Sequence, residues 1–177
     1  NNVSQGQQII EKAVVTFGKI DILIHSASTF YATPLLETTE AQWEDLHGTN
    51  LKAGFFLSQA AAPHLSSPST IIFLADVNAS RGLKGYSPYV AAKAGLLMLT
   101  KNLARELAPH TRVNSLSPGP VLPPENYTEA KKQKSAESTL LGRWGSPQDI
   151  TEAAIFLIEN DYINGFDLKV DGGRSLK

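Results

Sequence analysis

Tyr89 and Lys93 are the side chains in this 177-residue chain best placed to do chemistry. They stand four residues apart in an apolar-periodic run from Tyr89 to Leu107, in which Gly95 is the one strong helix breaker. The run predicts a helix that carries both side chains on one face, one turn apart. Ser87-Pro88 predicts the helix start. Ser87 would accept from a free first-turn N–H, and Pro88 would fill the first helical position, where a missing N–H costs nothing. An ammonium beside a phenol favours the phenolate, so Lys93 is expected to lower the Tyr89 pKa from its usual value of about 10. A tyrosine tuned in this way gives or takes a proton near neutral pH.

Other elements must hold that pair in place. The run Thr70–Ala75 is strand-like and ends at Asp76, thirteen residues before Tyr89. Asn50 is a polar residue inside a second predicted helix, which opens with the capping box Thr39-Glu40-Ala41-Gln42 and runs to about Ala62, with Trp43, Leu46, Leu51, Phe55 and Phe56 as its apolar stripe. The segment from Asp76 to Lys93, Asp-Val-Asn-Ala-Ser-Arg-Gly-Leu-Lys-Gly-Tyr-Ser-Pro-Tyr-Val-Ala-Ala-Lys, resembles the active-site segment of the short-chain dehydrogenase/reductase family. Thr49-Asn50-Leu51-Lys52-Ala53 resembles the family's Asn segment. The resemblance implies a catalytic set of Asn50, Asp76, Tyr89 and Lys93, with the Asn50 side chain or a local kink there holding a water near the Tyr–Lys pair and Lys93 holding the cofactor ribose.

The remaining elements alternate. Ser4 and Gln7 form a possible capping box for a helix that carries Ile10, Ala13, Val14 and Phe17 and ends at Gly18. Ile20–Ile24 suits a buried parallel strand. Ser66–Ser69 reads as a loop, and Arg112–Leu116 as a strand that turns sharply at Ser117-Pro118-Gly119-Pro120. Ser146-Pro147 starts a helix with Ile155, Phe156 and Ile158 expected in the core. Gly165–Val170 is a last strand. Strands alternating with helices predict an α/β fold, a doubly wound parallel sheet. Small polar residues after a strand, as in His25-Ser26-Ala27-Ser28, suit a ligand crevice at the carboxyl edge of such a sheet.

The resemblance extends over the whole chain, from just after the family's third strand to its C-terminus. It implies that residues 1–177 are the C-terminal part of one Rossmann-like domain, without its first βαβ half. No Gly-rich strand-to-helix turn occurs; the early glycines are Gly6 and Gly18. Ala27, Ser28, Tyr89, Lys93, Pro118 and Gly119 are implied as cofactor-binding. Most family members carry Ser thirteen residues before the Tyr, whereas Asp76 stands there in this chain. His25, Ser28 and Phe30 are similar to the pteridine-reductase branch, as is Asp171-Gly172-Gly173-Arg174-Ser175-Leu176. That branch implies Ser28, Phe30, Asp76 and Tyr89 as substrate-binding, with Phe30 stacking a flat ring over the nicotinamide and Val121–Ser138 covering the substrate. The expected activity is NADPH-dependent reduction of C=N bonds in a pterin or folate, with NAD left open. The alternatives are a carbonyl or 3-oxoacyl reductase of the same family, or a non-catalytic binding fragment.

Composition narrows the classes. The net charge of −1 provides no electrostatic case for nucleic acid or an anionic membrane. There is no Cys, and His25, His47, His64 and His110 show no metal-ligand spacing. The chain opens at Asn1 without a Met or a signal-peptide pattern and is expected to be the interior of a longer, cytoplasmic protein. Apolar residues on more than one stripe of the helices around Trp43–Ala62 and Tyr89–Leu107 imply a homodimer or homotetramer.

Overall fold

The structure, a computed structural model, describes residues 3–123 and 127–177. Helix α1 (Val3–Phe17) leads into strand β1 (Ile20–His25), then α2 (Glu40–His47) and α3 (Ala53–Ala61), which are joined through a π-helical turn at Gly48–Lys52. Next come β2 (Leu65–Leu74), the short α4 (Asn78–Arg81), α5 (Ser87–Glu106), β3 (Thr111–Pro118), α6 (Glu129–Glu137), α7 (Pro147–Glu159) and β4 (Asp167–Val170). The four strands are parallel and lie in the order β1-β2-β3-β4. All their carboxyl ends therefore open on one edge.

The doubly wound packing follows from the period of the strand. In β2, Ile71 and Phe73 point to one face and pack with Val113, Leu96 and Leu103 of β3 and α5. Ile72 points to the other face and packs with Leu116 and with Leu157 of α7. A third cluster joins Ile10, Ile20 and Ala61, from α1, β1 and the end of α3. Gly95 has a packing reason: a Cβ there would come within 2.9 Å of Leu51 Cδ2, so its absence lets α5 approach the π turn. Arg112 secures the far end of α7. Its guanidinium donates to the carbonyls of Leu157 and Ile158, both at 2.8 Å, and of Ile163 at 3.1 Å. The first two are among the acceptors that a helix C-terminus leaves without partners.

Several local expectations need correction. Ser4 lies inside α1, not at its cap. Residues 66–69 belong to β2, although the pairing with β1 does slip there, between Ile20 and Ile22. Helix α5 begins at Ser87 itself, with Tyr86 at the cap and no side-chain capping bond. Gly165 and Phe166 precede β4. Ile155 and Phe156 face outward and Leu157 takes the core position, because α7 turns its buried stripe one residue later than expected. The capping boxes of Thr39 with Gln42 and of Ser146 with Asp149 are both present. No helix among the described residues is long and apolar enough to cross a membrane.

Candidate active site

The carboxyl edge of the sheet collects the loop after β1, Asp76 after β2 and Gly119 after β3, and the first two turns of α5 pack beside them. Tyr89 and Lys93 are 4 % and 2 % exposed. The Tyr89 hydroxyl donates to Asp76 Oδ2 at 2.7 Å, and Asp76 Oδ1 accepts the backbone N–H of Asn78 at 2.6 Å. The opening of α4 thus fixes the carboxylate, which in turn orients the phenol. Lys93 Nζ donates to Leu74 O, the last carbonyl of β2, at 2.7 Å.

This geometry reverses the expected tuning. Burial, then the Asp76 charge and the hydrogen bond to Asp76, push the Tyr89 pKa up; the neighbouring Ser28 hydroxyl opposes them. Lys93 contributes nothing comparable, because its ammonium is directed at Leu74 and lies 5.8 Å from the centre of the Tyr89 ring. Burial pulls Lys93 itself down to about 8, against the Asp76 charge. The phenol is therefore a neutral proton donor across the physiological range. The carboxylate beside it holds negative charge close to whatever it protonates.

Asn50 is fully buried, and its amide is engaged. Oδ1 accepts from the Ser28 hydroxyl at 2.6 Å, while Nδ2 donates to Thr29 O at 3.0 Å and to Leu46 O at 2.9 Å. The helix bends at Asn50 through the π turn, a local kink of the kind the sequence allowed for, and the side chain pins the loop after β1. It can do so because the π turn sets it opposite that loop.

The cleft has a volume of about 380 Å³ and brings together Phe30, Asp76, Tyr89, Pro118 and Gly119. Ala27 and Ser28 lie on the exposed adjoining loop, and Asn50 and Lys93 lie behind the wall. Phe30 is not a free stacking surface. Tyr86 lies parallel to it at 4.6 Å, and Tyr89 meets it edge-on at 4.8 Å, which leaves its other face for a flat ligand. Sequence reasoning passed over Tyr86, Trp144 and Arg174, which also line the cleft. For Tyr86 a signal existed, an aromatic residue three before Tyr89 on the same helical approach. Of the segment expected to cover the substrate, Val121, Leu122, Tyr127 and Ser135 line the cleft; Pro124, Glu125 and Asn126 lie outside the described residues.

These residues fit the nicotinamide and ribose end of a dinucleotide. Lys93 has three donors, and Leu74 O is the single acceptor they meet among the described residues. Gly119 leaves bare backbone at the β3 edge, where a Cβ would come within 2.7 Å of Asp171 Cα.

His25, at the end of β1, is 3 % exposed, and neither ring nitrogen has a hydrogen-bond partner. Burial, and then the Lys93 charge, lower its pKa from 6.5 to about 4. The unfolded chain therefore binds a proton at this residue that the native chain refuses. The stabilisation is complete above pH 6.5 and is lost as pH falls towards 4, to the extent of about 3 kcal/mol. His25→Asn is expected to flatten this acid limb, read as the difference in denaturant-unfolding free energy between pH 7 and pH 4.5.

The sequence matches the family described as Enoyl-(Acyl carrier protein) reductase over residues 1–175. It is 36 % identical to the 2-dehydro-3-deoxy-D-gluconate 5-dehydrogenase of Escherichia coli K12, covering 93 % of this chain and 69 % of that protein. It is 32 % identical to the 3-oxoacyl-(acyl-carrier-protein) reductase FabG of Thermotoga maritima, covering 96 % and 72 %. The fold superposes with a TM-score of 0.93 on a crystal structure titled short-chain dehydrogenase/reductase, glucose/ribitol dehydrogenase, from Brucella melitensis, at 32 % identity and covering 98 % and 72 %. It superposes with a TM-score of 0.92 on a blue fluorescent protein from a metagenomic library in complex with NADPH, at 32 % identity and with the same coverage.

Proposed function

The chain belongs to the short-chain dehydrogenase/reductase family of oxidoreductases, and within it we propose a reductase of C=N bonds in a pterin-like heterocycle, with NADPH as its cofactor. One observation carries the proposal: a carboxylate, Asp76, holds the proton donor Tyr89 at 2.7 Å. A carbonyl acceptor builds negative charge on oxygen as hydride arrives, and a fixed carboxylate repels that charge. A ring nitrogen gains a proton instead, and the same carboxylate stabilises its cationic form.

When bound, the dinucleotide supplies the hydride; the NADPH-bound structural neighbour supports the choice of phosphate form. The chain's own residues do the rest. Tyr89 donates its proton to the substrate nitrogen, and Asp76 orients the phenol and draws positive charge towards the ring. Lys93 keeps an ammonium behind the pair and offers its remaining donors to the ribose hydroxyls. Asn50 fixes Ser28 and Thr29 against the cleft. Phe30 and Tyr86 form the aromatic wall along which a flat ring lies.

A second reading, reduction of a keto group, draws support from the two relatives, whose names specify a keto-sugar-acid dehydrogenase and a 3-oxoacyl reductase. Steady-state assays of the holoenzyme decide between them. The expected result is a kcat/KM for quinonoid or 7,8-dihydropterin at least ten times that for a 3-oxoacyl thioester or a keto sugar acid. The reverse order would move the assignment to the keto reading.

We also infer self-association through α2, α3 and α5, because Trp43, Phe55 and Met98 are 44 %, 38 % and 55 % exposed. Apolar side chains of this size on neighbouring helices mark an interaction surface. Light scattering of the holoenzyme at micromolar concentration is expected to give a dimer or a tetramer.

A further inference from the structure

The reaction proposed above makes no use of Arg174, yet Arg174 lines the cleft that holds Asp76 and Tyr89. Its Nε is buried without a hydrogen-bond partner, and no carboxylate among the described residues lies within 4 Å of its guanidinium. Two acidic groups stand near, and both are committed elsewhere. Asp76 accepts from Tyr89 and from the Asn78 N–H. Asp171 accepts the backbone N–H groups of Gly173 at 2.9 Å and Ser175 at 2.7 Å.

The backbone holds Arg174 in this position. Gly172 and Gly173 adopt φ of +60° and +78°, the left-handed region that side chains other than glycine rarely enter. Two successive residues of that kind turn the chain sharply after β4. The single 3₁₀ turn that follows, Arg174–Leu176, packs on α4, whose last residue is Arg81. Arg81 is exposed, has one weak side-chain partner in Asn78 Oδ1 at 3.4 Å, and lowers the Arg174 pKa by its charge, second to burial. Two guanidinium groups that repel each other beside a cleft, one of them half-buried with its Nε lacking a partner, cost stability unless an anion joins them.

We propose that Arg174, supported by Arg81, is an anion subsite that selects a substrate with a carboxylate on its tail, so that the acidic-tailed dihydrofolate is preferred over the neutral dihydrobiopterin. The planar fork of Arg174 suits a bidentate carboxylate. The aromatic wall takes the ring, and the two arginines take the acid. The identity of the ring rests on the pterin reading; the anion subsite can be tested without it.

Two measurements on the holoenzyme test this inference. The first is the ratio of kcat/KM for dihydrofolate to that for dihydrobiopterin. Arg174→Gln is expected to lower the ratio at least tenfold, Arg81→Gln about threefold, and Arg174→Lys less than Arg174→Gln. If Arg174→Gln changes both substrates equally, or neither, Arg174 does no more than offset the Asp76 charge and the proposal is overturned. The second is quenching of tryptophan fluorescence, with Trp144 in the cleft wall, by p-aminobenzoyl-glutamate and by its diamide. Preference for the acid in the wild type and its loss in Arg174→Gln support the subsite; equal binding of acid and diamide overturns it. A holoenzyme that turns over no dihydropterin but binds the acid through Arg174 keeps the subsite and removes the pterin reading.

Discussion

Tyr89→Phe is expected to lower kcat for dihydropterin reduction by about 10²-fold or more while changing dinucleotide affinity little. The substitution keeps the ring, its edge-on contact with Phe30 and the packing of a residue that is 4 % exposed. It removes the hydroxyl, and with it the sole side-chain donor to Asp76 among the described residues. Proton delivery to the acceptor nitrogen would then fall to water. The lost hydrogen bond should cost about 1 kcal/mol of stability, too little to unfold the domain. A melting temperature within a few degrees of wild type, measured beside the kinetics, separates loss of chemistry from loss of fold. Retention of more than a tenth of wild-type kcat would remove Tyr89 from the role of proton donor.

Asp76→Ser is expected to lower the ratio of pterin to ketone kcat/KM by about 10²-fold, by depressing the first and sparing or raising the second. The variant places at this position the residue usual in the family, which can donate a hydrogen bond to a carbonyl where a carboxylate cannot. A second readout follows the phenol. Two of the three influences that raise the Tyr89 pKa come from Asp76, so in the variant the phenol should titrate at lower pH. Nuclear magnetic resonance of tyrosine labelled at Cζ reads that shift without any substrate. An unchanged substrate ratio would return the protein to an unspecified reductase, even if the phenol pKa moved as expected.

The order of helices and strands and the shared face of Tyr89 and Lys93 are written locally in the sequence. Tyr89 and Lys93 share a face because four residues nearly complete a helical turn, and two turns of backbone suffice to determine that. The boxes at Thr39 and Ser146 are also local, because each closes a hydrogen bond within its own first turn. The parallel sheet follows from alternating elements, and its carboxyl edge from the strands all running one way.

The tertiary structure decided the charges and contacts that depend on distance between remote segments. Lys93 is close to Tyr89 in sequence, but its ammonium is drawn to the end of β2, and burial together with Asp76, carried in by another strand, governs the phenol. Asn50 holds Ser28, a partner no helical periodicity could name, because a π turn changes which way its side chain points. Tyr86 covers one face of Phe30, and Arg174 enters the cleft from the last turn of the chain. Ile155 and Phe156 are exposed because nothing in the described chain packs against that side of α7. Desolvation and Coulomb interactions scale with burial and separation in space, and neither quantity exists until the sheet has brought these segments together.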